Sequence, residues 1–412
     1  MSEAPIFIVG VPRSGTTLLA AMLASHSRLS CGPETHFFRQ LSKIDPAPLT
    51  QDAAWLEPAI QFLDSITFGN YRDAERSGVI EKYALSRDCI KDFLSKREPS
   101  IANILSSITV PFMEGLGKSR WVEKTPDHIE YVAQIRQYFP ASPIVQILRD
   151  PRDVTISLMK VPWGIGSLLE GLFYWKRLYE SSEDFFRDDP LAYVLKYENL
   201  VACPVEELER LCQFIGEDFE SEMLDTSNSA QKLNSKNVSW KEKASQPLDT
   251  GRLNVWRNEL SAAEKQLAEA FIGDKLAQIG FPVEEVFDRL GEIHPSEELI
   301  LKYENSLYSF TSQRVRFWKQ DKQENASLNI FLGDSSNDDW LKGARLERLA
   351  QAFSLLVNIL RTIASKQTIY WISEAHDRKS GGLIAGLLTR ALSPYRQDPE
   401  PFSYPFSHNS SQ

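Results

Sequence analysis

Residues Ile6-Phe7-Ile8-Val9 form an unbroken apolar run that stops at Gly10, and from Thr16 to Ser25 Leu18, Leu19, Met22 and Leu23 recur at helical spacing. A short, continuous, mostly β-branched run reads as a parallel strand buried on both faces, and the spacing after it reads as an amphipathic helix. Between them lies Gly10-Val-Pro-Arg-Ser-Gly-Thr-Thr, a glycine-bounded turn that delivers the chain straight to a helix N-terminus. Free N–H groups and the helix dipole make such a junction an anion site. This strand, loop and helix commit the chain to an open α/β sheet with its ligand at the strands' carboxyl ends.

Set against the nucleotide-triphosphatase pattern GxxxxGK[ST], the loop has Gly10, Gly15 and Thr17 but carries Thr16 where the lysine belongs. That lysine grips the terminal phosphates, so its absence counts against ATP or GTP hydrolysis. Arg13 supplies a cation inside the loop instead, with a planar guanidinium suited to bidentate contact with an oxyanion. A kinase or triphosphatase of the same fold, and a non-catalytic nucleotide-binding scaffold, are the competing readings.

Further buried strands are expected at Pro143–Leu148 and Leu191–Lys196, and Arg120-Trp-Val-Glu-Lys reads as a strand edge leading into a Thr-Pro-Asp turn. Residues 48–117 read as a mostly helical insertion covering the site. A helix is expected to start at Tyr197 and run to about Ile215, and another to cover Ala262–Ile279. The polar stretch 225–250 reads as a mobile loop. A smaller α/β region is expected over 291–400, with strands at 328–332 and 368–372 and a long amphipathic helix at 341–364, and the Pro- and Ser-rich residues 401–412 as a disordered tail.

Net charge supports a narrow reading. At −10 over 412 residues the chain lacks the basic balance of a nucleic-acid binder, so an anionic ligand must be held by a few aimed cations. No apolar run reaches membrane-spanning length, and the opening run is too short for a signal segment. The four cysteines (Cys31, Cys89, Cys203, Cys212) show no metal-ligand spacing, so no metal is expected, and free thiols suit a cytoplasmic protein. The Asn-x-Ser triplets at Asn237, Asn325 and Asn409 then have no glycan to carry.

The stretch PIFIVGVPRSGTTLLAAMLASHSRLSCGPETHFF resembles the start of the sulfotransferase family, in particular its tyrosylprotein branch and bacterial relatives, and ILRDPRDVTISLMK at 147–160 resembles the family's second signature. The resemblance covers roughly residues 5–285 and implies a P-loop-type parallel sheet flanked by helices, with a sulfotransferase domain over 1–290. It implies 3'-phosphoadenosine 5'-phosphosulfate (PAPS) as sulfuryl donor, 3'-phosphoadenosine 5'-phosphate (PAP) as product, and an acceptor hydroxyl on a peptide tyrosine, glycan, lipid or small molecule. Matching positions assign Arg13, Ser14, Gly15, Thr16 and Thr17 to the 5' side of the donor, Arg149 and Ser157 to the 3'-phosphate, and Tyr197 to the adenine. Thr250-Gly-Arg252 resembles the late Gly/Arg segment that closes over that phosphate. Lys124 matches a lysine that faces the sulfuryl group. Glu34 matches the carboxylate base of the tyrosylprotein branch; His36, whose intrinsic pKa suits a base, stands where that branch has a substrate-binding basic residue. The expected packed alternative for His36 sets it beside Phe37 and Phe38. Arg152 and Asp153 read as a surface ion pair. Cys31 matches a cysteine whose disulfide partner in the secretory enzymes is here Val122. A homodimer through helix 341–364 is a further expectation.

Overall fold

In a computed structural model of the chain, residues 4–51, 55–69, 76–161, 168–227 and 249–283 are described. The predicted mobile loop falls almost wholly outside these residues, and the C-terminal α/β region, its long helix and the tail lie wholly outside them. By internal contacts the chain divides into two units, with the described residues up to Glu259 in the first and those from Leu260 in the second.

In the first unit, strands β1 (Ile6–Val9), β2 (Leu29–Cys31), β3 (Thr67–Gly69), β4 (Arg76–Gly78), β5 (Arg120–Lys124), β6 (Ile144–Leu148) and β7 (Ala192–Lys196) appear in chain order. Helix α1 is Thr16–Ser25, α2 Phe37–Leu41, α3 Leu56–Ser65, α4 Val79–Lys82, α5 Arg87–Ser95, α6 Ile101–Gly115 and α7 Val132–Tyr138. After these come α8 (Pro151–Met159), α9 (Leu168–Glu180), α10 (Glu183–Asp188), α11 (Tyr197–Ala202), α12 (Pro204–Ile215) and α13 (Trp256–Glu259). The second unit contributes α14 (Ala262–Gln278), opened by a capping box between Ser261 and Glu264.

Five strands form one sheet in the order β2-β5-β1-β6-β7, and every pairing in it is parallel. β1, β5 and β6 are buried along their whole length; β1 and β6 have the near-continuous apolar sequence of interior strands, whereas β5 buries three charged side chains. Leu19, Met22 and Leu23 of α1 pack with Ile6, Ile8, Val145, Ile147 and Leu211 in one core cluster. The helix thus lies on the sheet with its N-terminus at the strands' carboxyl ends. Because all five strands run the same way, every strand-end loop opens on that one edge.

Two expectations need correction. Arg120–Lys124 is an interior strand between β2 and β1 rather than an edge, and its Arg120 is accommodated there by bonding the Ile215 carbonyl and Glu217. The helix predicted from Tyr197 to Ile215 is two helices, because Pro204 has no N–H to continue α11 and instead starts α12. The insertion is mostly helical, as expected, and its described residues also include an antiparallel strand pair, β3 with β4, whose Phe68 is buried.

Candidate active site

Each strand of the sheet ends on a residue or loop that faces one crevice. β1 leads into residues 10–15. There Gly15 adopts φ 105°, and a Cβ on it would lie 2.4 Å from the Tyr197 ring, so only glycine lets the turn pass beneath that ring. Arg13 also lies in the left-handed region, at φ 77°, a strained conformation for a side-chain-bearing residue. Its Nε donates to Ser157 Oγ of α8 at 3.1 Å, joining the two sequence motifs directly.

Arg149, just beyond β6, is buried and lies over the Tyr197 ring at 4.5 Å. Its Nη1 donates to the Arg13 carbonyl at 3.3 Å and its Nη2 to the Arg252 carbonyl at 2.8 Å, which holds residues 250–252 against the loop. Nε of Arg149 and Oγ of Ser14 are buried without a hydrogen-bond partner. Arg13 has its pKa lowered by burial and by the like charges of Arg149 and Arg252. The Arg252 guanidinium itself bonds Asp249 Oδ2 at 3.2 Å; Arg13 and Arg149, with orphaned donors beside them and the Arg252 backbone held against Arg149, make a receptor for a polyanion.

The surface ion pair expected of Arg152 and Asp153 is not what forms. Both are buried: Arg152 bonds Asp150 at 3.0 and 2.7 Å and lies 3.5 Å over the Trp256 ring, while Asp153 accepts from Trp256 N–H at 2.9 Å. They fix α8 to α13. No local pattern marks Glu198, beside Tyr197. Its carboxylate accepts the Asp150 N–H at 3.0 Å while its other oxygen is buried without a partner, and burial pushes its pKa up to about 7 against the opposing pull of that bond.

The opposite wall carries the acid–base groups. Lys124, last residue of β5 and 2% exposed, is no surface lysine: Nζ donates to Glu34 Oε1 at 2.5 Å and lies 3.5 Å from Thr17 Oγ1. Glu34 hangs from a Gly32-Pro33 turn after β2. A Cβ on Gly32 would meet the Tyr83 ring at 2.5 Å, and the Tyr83 hydroxyl donates to the Pro33 carbonyl at 2.8 Å. A buried network then ties residues 34–38 to the end of β5. Thr125 Oγ1 accepts from Thr35 N–H at 3.0 Å and donates to Glu123 at 2.5 Å, and His128 Nδ1 meets Glu123 at 3.0 Å. Burial works to lower the His128 pKa, but the Glu123 carboxylate outweighs it and leaves it raised.

His36 keeps neighbours Phe37 and Phe38 in sequence, but its ring packs against Phe68 at 5.3 Å and its Nδ1 meets Asp127 Oδ2 at 3.2 Å. Asp127 belongs to the expected Thr-Pro-Asp turn and was assigned no role by the sequence, since nothing local in a turn aspartate reveals a partner 91 positions away. Cys31 forms no disulfide, and its register partner across β2 and β5 is Val122, the position where the secretory enzymes' partner cysteine was expected.

Residues 5–221, just over half the chain, match the model of the Sulfotransferase family. The chain is similar to the nodulation protein NoeE of Sinorhizobium fredii, 22% identical over 311 residues, covering 67% of this chain and 65% of that one. It is similar too to the protein-tyrosine sulfotransferase of Drosophila melanogaster, 23% identical over 62% of this chain and 47% of the fly protein. It therefore spans between about half and two thirds of the length of these relatives. Among solved structures, the sulfotransferase domain of the Synechococcus PCC 7002 olefin synthase is 22% identical, with a TM-score of 0.45 over 66% of this chain and 95% of that one. A mouse sulfotransferase complexed with PAP is 15% identical, with a TM-score of 0.36 over 67% and 84%. With a family match that begins at β1 and takes in every strand of the sheet, and with both motifs meeting at one strand-end crevice, the chain belongs to the sulfotransferase family, a family of enzymes.

Proposed function

We propose that this protein moves a sulfuryl group from PAPS to an acceptor hydroxyl by in-line displacement, releasing PAP. The observation that carries this reading is the cluster of Arg13, Arg149 and Arg252 around the glycine loop, in a chain whose net charge is −10. Such a cluster suits a ligand with anionic groups at both ends of one nucleoside. Ser14 to Thr17 would receive the 5' side through backbone N–H groups and hydroxyls. Arg149 and Ser157 would take the 3'-phosphate, with the carbonyl-bound Arg252 segment beside it, and Tyr197 would flank the adenine.

Sulfuryl transfer spreads charge over the equatorial oxygens while nucleophile and leaving group stay in line, so positioning and electrostatics dominate. Lys124 and Arg13 would neutralise the bridging oxygen as its bond to sulfur breaks. Glu34 would take the acceptor proton. In the structure Lys124 and Glu34 neutralise each other, and a donor that draws Lys124 away leaves the carboxylate free to act as base. The acceptor is a hydroxyl compound; a peptide tyrosine, a glycan, a lipid and a small alcohol all carry that group. Cys31, without a disulfide and opposite Val122, suits a reducing compartment such as the cytoplasm. Among the described residues no helix is long and apolar enough to cross a membrane. We further propose that the sulfotransferase domain ends near residue 290.

Calorimetric titration with PAP, AMP and ATP tests the donor site. PAP is expected to bind most tightly. Because bonds to a charged group contribute about 1.5–3 kcal/mol, Arg149→Ala should weaken PAP about 10- to 100-fold while changing AMP little. Equal or tighter binding of ATP, or an equal loss for AMP, would overturn the assignment.

A further inference from the structure

Glu34 divides its two carboxylate oxygens between different partners. Oε1 is held by Lys124, and Oε2 lies 3.6 Å from His36 Nε2. That separation exceeds a hydrogen bond and is of the loose kind that acid–base pairs show before substrate binds. On the other side of the imidazole, Nδ1 is 3.2 Å from Asp127 Oδ2. Asp127 is no ordinary surface carboxylate. Its side chain is 17% exposed, its Oδ1 is buried without a hydrogen-bond partner, and Arg39 Nη1 approaches the same Oδ2 at 3.5 Å. Burial pushes its pKa up, but the charge and hydrogen bond of His36, with lesser help from His128 and Arg39, hold it down at about 2.

An aspartate ionised across the ordinary pH range is an acceptor only, so the hydrogen between it and the imidazole must sit on Nδ1. In the neutral ring the lone pair then falls on Nε2, the nitrogen that faces Glu34. The backbone enforces this orientation. His36 adopts φ 49°, a left-handed conformation that a residue with a side chain adopts only under constraint, and Thr125 Oγ1 accepts its N–H at 3.4 Å.

We propose that Asp127 is a positioning residue that makes His36 the receiver of the proton Glu34 takes from the acceptor. This rests on the reading of Glu34 as the acceptor-side base. As the acceptor oxygen bonds to sulfur, the bond from sulfur to the bridging oxygen breaks and its electron pair leaves with PAP. The acceptor proton goes to Glu34 and on to His36 Nε2, giving an imidazolium whose Nδ1–H stays on Asp127. The ring, with a side-chain exposure of 22%, can then release the proton to solvent. Glu34 is thereby returned to its basic form without separating from Lys124's wall of the site.

The test is nitrogen-15 NMR on the full chain with labelled histidine, the His36 signal being identified by its loss in His36→Gln. The neutral ring is expected as the Nδ1–H tautomer in the wild type and as the Nε2–H tautomer, which free histidine prefers, in Asp127→Ala. His128, whose Nδ1 is held by Glu123, should keep its tautomer in both proteins and so reports that the turn is still folded. Release of PAP from PAPS with water as the acceptor probe should slow about tenfold or more in each single variant and no further in the double variant. Calorimetric affinity for PAP should stay within about twofold, because neither residue belongs to the donor's binding set. A wild-type Nε2–H tautomer, a tautomer indifferent to Asp127→Ala, or rates that multiply in the double variant would overturn the proposal. Failure of the wild type to bind PAP would overturn the sulfotransferase reading, and the catalytic role of the pair with it, whatever the tautomer.

Discussion

Replacing Glu198 with glutamine should make the protein more stable above pH 4.5, by a margin that grows until about pH 7. The carboxyl group's ordinary pKa is 4.5, and burial carries it to about 7 in the folded chain. A raised acid pKa means that the fold favours the neutral form, so folding is unaffected below pH 4.5, where the group is neutral in both states. Between 4.5 and 7 the unfolded chain ionises freely while the folded one resists. Stability therefore falls as pH rises, by about 1.4 kcal/mol per unit, and levels off above 7. Over this interval of 2.5 units, 7 − 4.5, the loss is about 3 kcal/mol. Glutamine cannot ionise, yet its side-chain oxygen can go on accepting the Asp150 N–H that Glu198 accepts now at 3.0 Å, so the contact that aligns the second motif survives. Urea unfolding of both proteins at pH 5, 6, 7 and 8 would measure it, with every other titrating group cancelling in the difference. The variant should gain about 2–3 kcal/mol over the wild type between pH 5 and pH 8, part of the loss being present already at pH 5. A difference that stays constant within about 0.5 kcal/mol across the series would refute the reasoning, because the buried carboxyl would then ionise as easily folded as unfolded.

Three further outcomes follow from the geometry. Gly15→Ala should destabilise the fold by at least about 1 kcal/mol and weaken PAP in calorimetry, since the position has φ 105° and the added carbon would lie 2.4 Å from the Tyr197 ring. Arg152→Ala should cost about 3–5 kcal/mol in urea unfolding by leaving the buried Asp150 carboxylate without its bidentate partner; a loss below about 1 kcal/mol would show that pair to be dispensable. Val122→Cys should form a disulfide with Cys31 under mild oxidation, removing two maleimide-reactive thiols, because the two positions are register partners on neighbouring strands about 4.8 Å apart.

Local chemistry made much of the donor side legible. The apolar run of β1, the glycines of the loop and the spacing of α1 each act within a few residues, so periodicity and turn preference were enough to find them. The same holds for Pro143–Leu148 with Arg149 at its end, since a strand that ends in a charged residue announces its own boundary. Pro204, which splits the helix after Tyr197, is equally visible in the sequence, but the apolar spacing continues across it and reads as one longer helix.

What no local pattern could supply was the order of the strands. Placing β5 between β2 and β1 buries Lys124 and brings it to Glu34, and it sets the Thr-Pro-Asp turn against His36. Placing β6 beside β1 lets Arg13 reach Ser157, 144 positions on, and lets Arg149 bond the carbonyls of Arg13 and Arg252. Burial followed the same logic. Arg152 and Asp153 carry the composition of a surface pair, and only the docking of α13 on α8 closes them from water. A side chain's charge is written in the sequence, whereas its desolvation and its partners depend on which distant segments pack beside it. For that reason the residue types of the site could be read from the chain, while the Asp127–His36–Glu34 alignment and the raised pKa of Glu198 exist only in the folded structure.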